Sequence, residues 1–501
     1  MRHFIGLLFA SALLCAQTAP SEKQHLFIHV ALAPDLHGPL SGRLLVFIAP
    51  GKGAKEVDAN PFMSTPTYVA AKEVGNWTPG TVADVDADDT VYPAPFSTAK
   101  PGDYQVQAVL DVAHTYNYMG REHGDLISDV MPLGQELRLA RVIANEYKPA
   151  DLSNDRDVHP FKFASRLLTR FWGRETSIRG YVVTPPSYAA NPKARFPTVY
   201  WTHGFGGTYE RIEATARRFF KSMEEKKMPD MIWVILDESC PTGTHEFADS
   251  VNNGPWGAAL TTELIPHLEA TYRMDARPNG RFLQGHSSGG WATLWLQTTY
   301  PKIFGGTWST SPDPSDFHDF TGPDLYAPHA NVYRKPDGTP YPLVRDKGKV
   351  LATFEQVARQ EQITGTYGGQ IASFDWVFSP RGEDGKPVPM FNRATGDVDP
   401  VVAAYWRDHF DIARLVAANW KTIGPDLKGK IHLFVGTADT FYLDGPAHKL
   451  QAVLDSLKAD AHFTFIPGRT HSDLYQIGED HGALFNQIAK EMYAIARPPK
   501  Q

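Results

Sequence analysis

Six short runs of almost unbroken apolar character, "IRGYVVTP", "FPTVYWTHG", "MIWVILDE", "GRFLQG", "GGTWST" and "KIHLFVGTAD", alternate with helical stretches such as "EATARRFFKSMEE" and "AALTTELIPHLEATYR". A strand apolar on both sides must be covered on both faces, and strands separated by helices pair in parallel. The alternation therefore predicts an α/β domain on a largely parallel sheet, with any active site at the carboxyl ends of the strands. At 501 residues the chain is long for one core, and its first part reads differently. From 24 to 145 the runs "HLFIHVAL", "GRLLVFIAP", "PGDYQVQAVLDV" and "GQELRLARVI" are short, β-prone and separated by turn residues, which predicts a small all-β, sandwich-like domain. No chemistry is evident in it. A linker around "EYKPADLSNDRDVHP" leads into the α/β domain, expected over 160–498, with an insertion at about 312–400 rich in Pro, Gly, Asp and aromatics. Long irregular stretches in compact domains are commonly lids, so the insertion is expected to roof the site in part. Its Phe374, Trp376, Phe378 and Phe391 either line a cleft or pack the insertion, packing being the commoner role.

The fourth apolar run leads into "RFLQGHSSGGWATLW". Ser287 has Gly285 two residues before it and Gly289 two after it, whereas Ser288 is preceded at that spacing by His286. G-x-S-x-G at a strand-to-helix turn bends the backbone sharply and holds the serine hydroxyl out for attack. The spacing selects Ser287 as candidate nucleophile.

A serine hydroxyl near pH 7 needs a base to take its proton and a carboxylate to orient that base. Asp439 stands just past the strand "IHLFVG", and His471 lies in the loop after "AHFTFIPG", so both fit the chain order nucleophile, acid, base. Asp444 and Asp473 are rival acids, but placement at the strand end favours Asp439. His286 cannot easily turn onto its neighbour's hydroxyl, and His245 precedes the nucleophile. An oxyanion hole needs backbone N–H donors, each worth roughly 3–4 kcal/mol in the transition state. The N–H of Ser288 supplies one, and the glycine loop "THGFGG" the other, with Phe205 preferred over Gly204 and Gly206.

A formal net charge of −7 offers no basic surface for nucleic acid or anionic lipid. Arg2 followed by the apolar run Phe4 to Leu14 reads as a signal peptide over residues 1–17, too short for a permanent span, so a secreted or periplasmic protein is expected. A lipid anchor on Cys15 is disfavoured by Leu14 before it. Cys15 and Cys240 are the two cysteines, so loss of the leader leaves one thiol and no internal disulfide. Cys240 has neither a glycine turn nor an evident base. "DVDADD" copies the start of a calcium loop, but Asp89 and Pro95 occupy the places of its glycine and bidentate Glu, leaving an acidic turn.

The stretches "FPTVYWTHGFGG", "NNGPWGAALTTELIPHLEATYR", "RFLQGHSSGGWATLWLQTTYPKIFGG", "VGTADTFYL" and "PGRTHSDLY" resemble the esterase family that includes esterase D, enterochelin esterases, feruloyl esterases and the mycolyltransferases. The resemblance covers roughly 165–310 and 425–480 and implies an α/β-hydrolase fold with Ser287 as nucleophile, Asp439 as acid and His471 as base. The insertion and the amino-terminal β domain depart from the simple family pattern. The expectation is a serine esterase that needs no metal or organic cofactor and acts on small-molecule or carbohydrate-linked esters, aromatic-acid esters included. Acyl transfer on the same triad and a non-catalytic surface binding protein are the alternatives.

Overall fold

The computed structural model describes residues 25–63, 65–145 and 155–498, so the leader expected at 1–17 and most of the linker lie outside the described residues. Eight strands form the carboxyl-terminal sheet: β1 (Val158–Ala164), β2 (Ser177–Val183), β3 (Thr198–Thr202), β4 (Ile232–Leu236), β5 (Arg281–His286), β6 (Gly306–Thr310), β7 (Ile431–Gly436) and β8 (Ala461–Ile466). Their spatial order is β1-β2-β4-β3-β5-β6-β7-β8. The pairs β1/β2 and β2/β4 are antiparallel, and every pair from β4 to β8 is parallel. This is an α/β-hydrolase sheet, largely parallel as the apolar runs predict.

Every residue of β3 and β4 is buried because helices cover both faces. On one face the helix Tyr209–Glu224 lays Ile212, Ala216, Phe219 and Met223 against Trp201 and Trp233, a stripe at helical spacing. Thr208 starts that helix by accepting a hydrogen bond from Arg211 N–H. On the other face Leu260, Leu264 and Leu268 pack on Tyr200, Val234 and Leu283. The helix Ser288–Thr299 has no solvent stripe: every residue from Ser288 to Gln297 is buried.

The amino-terminal region holds two sheets. Phe27–Leu32 lies between Val82–Asp86 and Leu137–Leu139, and a larger sheet is centred on Leu40–Pro50, flanked by Tyr68–Trp77 and Tyr104–Asp111. Successive side chains of a strand point to opposite faces. Leu44, Val46 and Ile48 accordingly join the core facing the small sheet, while Leu45 and Phe47 join a second core with Val57 and Tyr116, against which Ile363 of the insertion packs. Of the expected acidic turn, Asp84 and Asp86 lie instead in the strand Val82–Asp86, where they pair with His29 and His25, and the turn begins at Ala87.

The segment between β6 and β7 is more regular than its composition suggests. It contains the hairpin Pro342–Asp346/Lys349–Thr353 and the helices Phe354–Thr364, Gln370–Phe378 and Pro400–His409. Phe378 sits among Phe317, Trp406 and Phe410. Phe374, Phe378 and Phe391 are buried, so packing holds for these three, while Trp376 is half-buried.

Candidate active site

Ser287 links β5 to the buried helix with φ 60° and ψ −125°, a conformation costly for a side-chain-bearing residue, about 1–3 kcal/mol. The flanking glycines are required by close approach: a Cβ on Gly285 would land on the carbonyl of Gly289, and one on Gly289 on the carbonyl of His203. The two serines differ in what they do. Ser288 is fully buried and donates to Asp313 Oδ2 at 2.6 Å. Ser287 lines a narrow apolar cavity, and the hydrogen bond its Oγ donates among the described residues goes to Asp313 Oδ1 at 3.4 Å.

His471 Nδ1 lies 2.9 Å from Asp439 Oδ2, with the carboxylate fully buried and the imidazole nearly so. Burial pushes the Asp439 carboxyl up, but the charge and hydrogen bond of His471 and the Phe441 N–H outweigh it, and the group stays below the ordinary aspartate value. An ionised carboxylate only accepts, so Nδ1 donates in this bond and the second ring nitrogen, Nε2, is the one not engaged by Asp439. Asp439 Oδ1 accepts from Phe441 N–H at 2.9 Å, which fixes the loop beyond β7. The rivals are engaged elsewhere: Asp444 pairs with Arg345 at 2.7 Å, and Asp473 accepts from the backbone and hydroxyl of Thr470. His286 packs its ring 4.4 Å from that of His471, and burial pushes its pKa down to about 3. His245 is stacked on Trp256 and is also pushed down to about 3 by burial.

The glycine loop after β3 meets the elbow. A Cβ on Gly204 would lie 2.8 Å from His286 O and 2.9 Å from Ser287 Cβ, so this turn tolerates nothing larger. Gly206 takes φ +79°. His203 braces the loop, its Nδ1 donating to Gly204 O at 2.7 Å while Nε2 lies 3.1 Å from Asp237 Oδ1. Burial pushes His203 down, but the Asp237 bond and the Glu238 and Asp237 charges raise it overall. Phe205 sits in this loop, and Ser288 opens the buried helix, whose first backbone N–H groups have no partner within the helix.

The cavity at Ser287 is walled by Leu343, Phe354 and Phe374 of the insertion and by Phe441 and Leu443 beyond β7, with Phe62 of the amino-terminal domain. Phe374 thus both packs the insertion and faces the cavity. Asp313 is its buried carboxyl, pushed up to about 6 by burial. Sequence reasoning missed Asp313, although it stands three residues past β6 just as Asp439 stands three past β7. It also missed Phe62 and Tyr118, whose hydroxyl donates to Gly207 O at 2.6 Å. Cys240 is half-buried, and burial pushes its thiol up to about 11, which suits no nucleophile. Asp316, His318 and Asp411 have ligand atoms within 4.8 Å of one another. Their carboxylates are taken up locally, Asp316 by His318 N–H and Asp411 by Phe317 N–H, Arg414 N–H and the Tyr326 hydroxyl.

The family model described as "Putative esterase" matches residues 173–481. The uncharacterized protein YbbA of Bacillus subtilis (strain 168) is 26% identical over 138 residues, which are 25% of this chain. The match spans about half, 53%, of that relative's length. Among solved structures, a ferulic acid esterase superposes with a TM-score of 0.43 at 13% identity, covering 68% of this chain and 98% of the other. An S-formylglutathione hydrolase from Agrobacterium tumefaciens gives 0.39 at 12% identity, covering 68% and 94%.

Proposed function

The chain belongs to the "Putative esterase" family, and on that footing we propose that it is a serine carboxylic-ester hydrolase with Ser287 as nucleophile, His471 as base and Asp439 as the acid that orients it. His471 Nε2 takes the Ser287 hydroxyl proton as Oγ bonds to the ester carbonyl carbon. The carbonyl oxygen becomes an oxyanion, held by the backbone N–H groups of Ser288 and Phe205. Collapse breaks the bond to the alcohol oxygen, which takes the proton from His471, and the acyl group stays on Ser287. Water, deprotonated by His471, then adds to the acyl carbon and releases the acid and the serine. Before attack the Ser287 hydroxyl turns from Asp313 towards His471.

The observations that support this reading are the 2.9 Å bond from His471 to the buried Asp439 and the packing of the His471 ring on His286, the neighbour of a strained serine between two obligatory glycines. A non-catalytic binding protein has no use for that strain. The apolar walls suit an apolar acyl group, and the ester classes assigned are aromatic-acid and carbohydrate-linked esters. Export through the leader is part of the same reading, and amino-terminal sequencing of the mature protein tests it. The catalytic assignment is tested by fluorophosphonate labelling read by intact mass. One label on the wild type and none on Ser287→Ala supports it; an unlabelled wild type that is folded overturns it.

Acyl transfer is the second reading, favoured by the apolar lining of the cavity, which disfavours water as acceptor. Adding an acceptor alcohol and measuring ester product against free acid separates the two.

A further inference from the structure

We propose that the amino-terminal β domain is a working part of the site: Tyr118 positions the Phe205 loop, and Phe62 closes the acyl end of the cavity. The proposal rests on the hydrolase reading above and assigns a role to a domain whose sequence carries no chemistry of its own.

Tyr118 lies in the short helix Tyr116–Met119. Its hydroxyl donates to Gly207 O at 2.6 Å, and its ring meets the ring of Phe205 edge to face at 4.8 Å. Both contacts fall on the loop proposed to supply the second oxyanion donor. That loop is half-exposed and rich in glycine, so its ordering carries a large backbone-entropy cost. From within, His203 and the Gly207 N–H to Gly204 O bond hold it; Tyr118 holds it from outside. The brace is itself anchored. Asn117 Nδ2 donates to Glu361 O at 2.8 Å, and Arg43 Nε donates to Ile363 O at 2.8 Å, fastening the domain to the insertion. A donor displaced by a few tenths of an ångström no longer meets the oxyanion, so the hydroxyl acts on the transition state while leaving ground-state binding alone.

Phe62 reaches the site through Phe441. It meets Phe441 edge to face at 5.5 Å, and Phe441 meets the His471 ring edge to face at 4.9 Å. Phe62 and Ser287 line the same cavity. The cavity at Ser287 is therefore walled in part by a ring from the amino-terminal domain, which predicts selection for compact apolar acyl groups.

The test uses the full chain with Tyr118→Phe, Phe62→Ala and Phe62→Trp, assayed on p-nitrophenyl acetate, butyrate and octanoate. Melting midpoints and hydrogen exchange over residues 203–208 are measured on the same samples. Tyr118→Phe is expected to lower kcat about fivefold at unchanged KM, the size of one neutral hydrogen bond, and to speed exchange in that loop with only a small drop in the midpoint. Phe62→Ala is expected to lower KM for octanoate relative to acetate, and Phe62→Trp to raise it. Wild-type kcat and exchange in Tyr118→Phe, or Phe62 variants that change all three esters by one factor, overturn the proposal. If the wild type neither cleaves esters nor takes the fluorophosphonate label, the hydrolase reading falls. The exchange measurement then decides alone whether Tyr118 braces the loop.

Discussion

Ser288 gives its hydroxyl to Asp313 at 2.6 Å, and through that bond two adjacent serines divide into a buried anchor and a hydroxyl facing the cavity. Ser287→Ala is expected to abolish both ester hydrolysis and fluorophosphonate uptake. Ser288→Ala keeps the label and loses about 1–2 kcal/mol of stability, because the Asp313 oxygen is left buried without its donor. Intact mass and thermal melts of the two variants check both halves.

The acid is tested by a pair of substitutions. Asp439→Asn preserves shape but removes the charge that fixes the His471 tautomer, and kcat is expected to fall about 10⁴-fold. Asp444 instead serves an ion pair with Arg345 at 2.7 Å. Asp444→Asn is expected to change kcat less than about fivefold, in line with the value of a partly exposed pair. Equal losses in the two variants would remove the distinction.

Asp313 makes stability depend on pH. Burial raises its pKa from 3.8 to about 6, so the folded chain binds this proton more tightly than the unfolded one. The contribution is fully present below the unfolded value, is lost as pH rises through about 6, and leaves a cost near 3 kcal/mol above it. Asp313→Asn removes the charge and keeps an acceptor for Ser288. Its melting midpoint is expected to exceed the wild-type value at pH 8 and not at pH 4. A gain of the same size at both values would refute the assignment.

Two glycines of one loop should respond differently. Gly204→Ala pushes a methyl against His286 O and Ser287 Cβ, and a displaced oxyanion loop is expected to lower kcat about 100-fold. Gly206 has open space around it but a φ of +79°. Gly206→Ala is expected to fold with about 1 kcal/mol of backbone strain and a smaller kinetic effect. Steady-state rates on proteins of matched circular dichroism separate the two cases.

What the sequence made legible was whatever a strand end dictates. Apolar runs fixed the places of β2 to β7, and the candidates Ser287 and Asp439, just beyond β5 and β7, were chosen from that placement. Asp313 obeys the same rule, but it sits in "SPDPSD", where prolines and polar residues disguise a strand end as ordinary loop. The insertion looked irregular for the same reason. Its first helix is announced by a capping box, Thr353 with Gln356, that the surrounding glycines and prolines conceal. Tyr118 and Gly207 are 89 residues apart, and no local pattern encodes a contact between two domains. Side chains that act across such a gap become visible only once both domains are placed.

With Ser288 to Gln297 all buried, the proposed nucleophile Ser287 is mounted at the start of a core helix, not on a surface element that frays on its own. Loss of the carboxyl-terminal core is thus expected to take the Ser287 geometry with it, and the decline of fluorophosphonate uptake on heating is expected to follow the survival of that core.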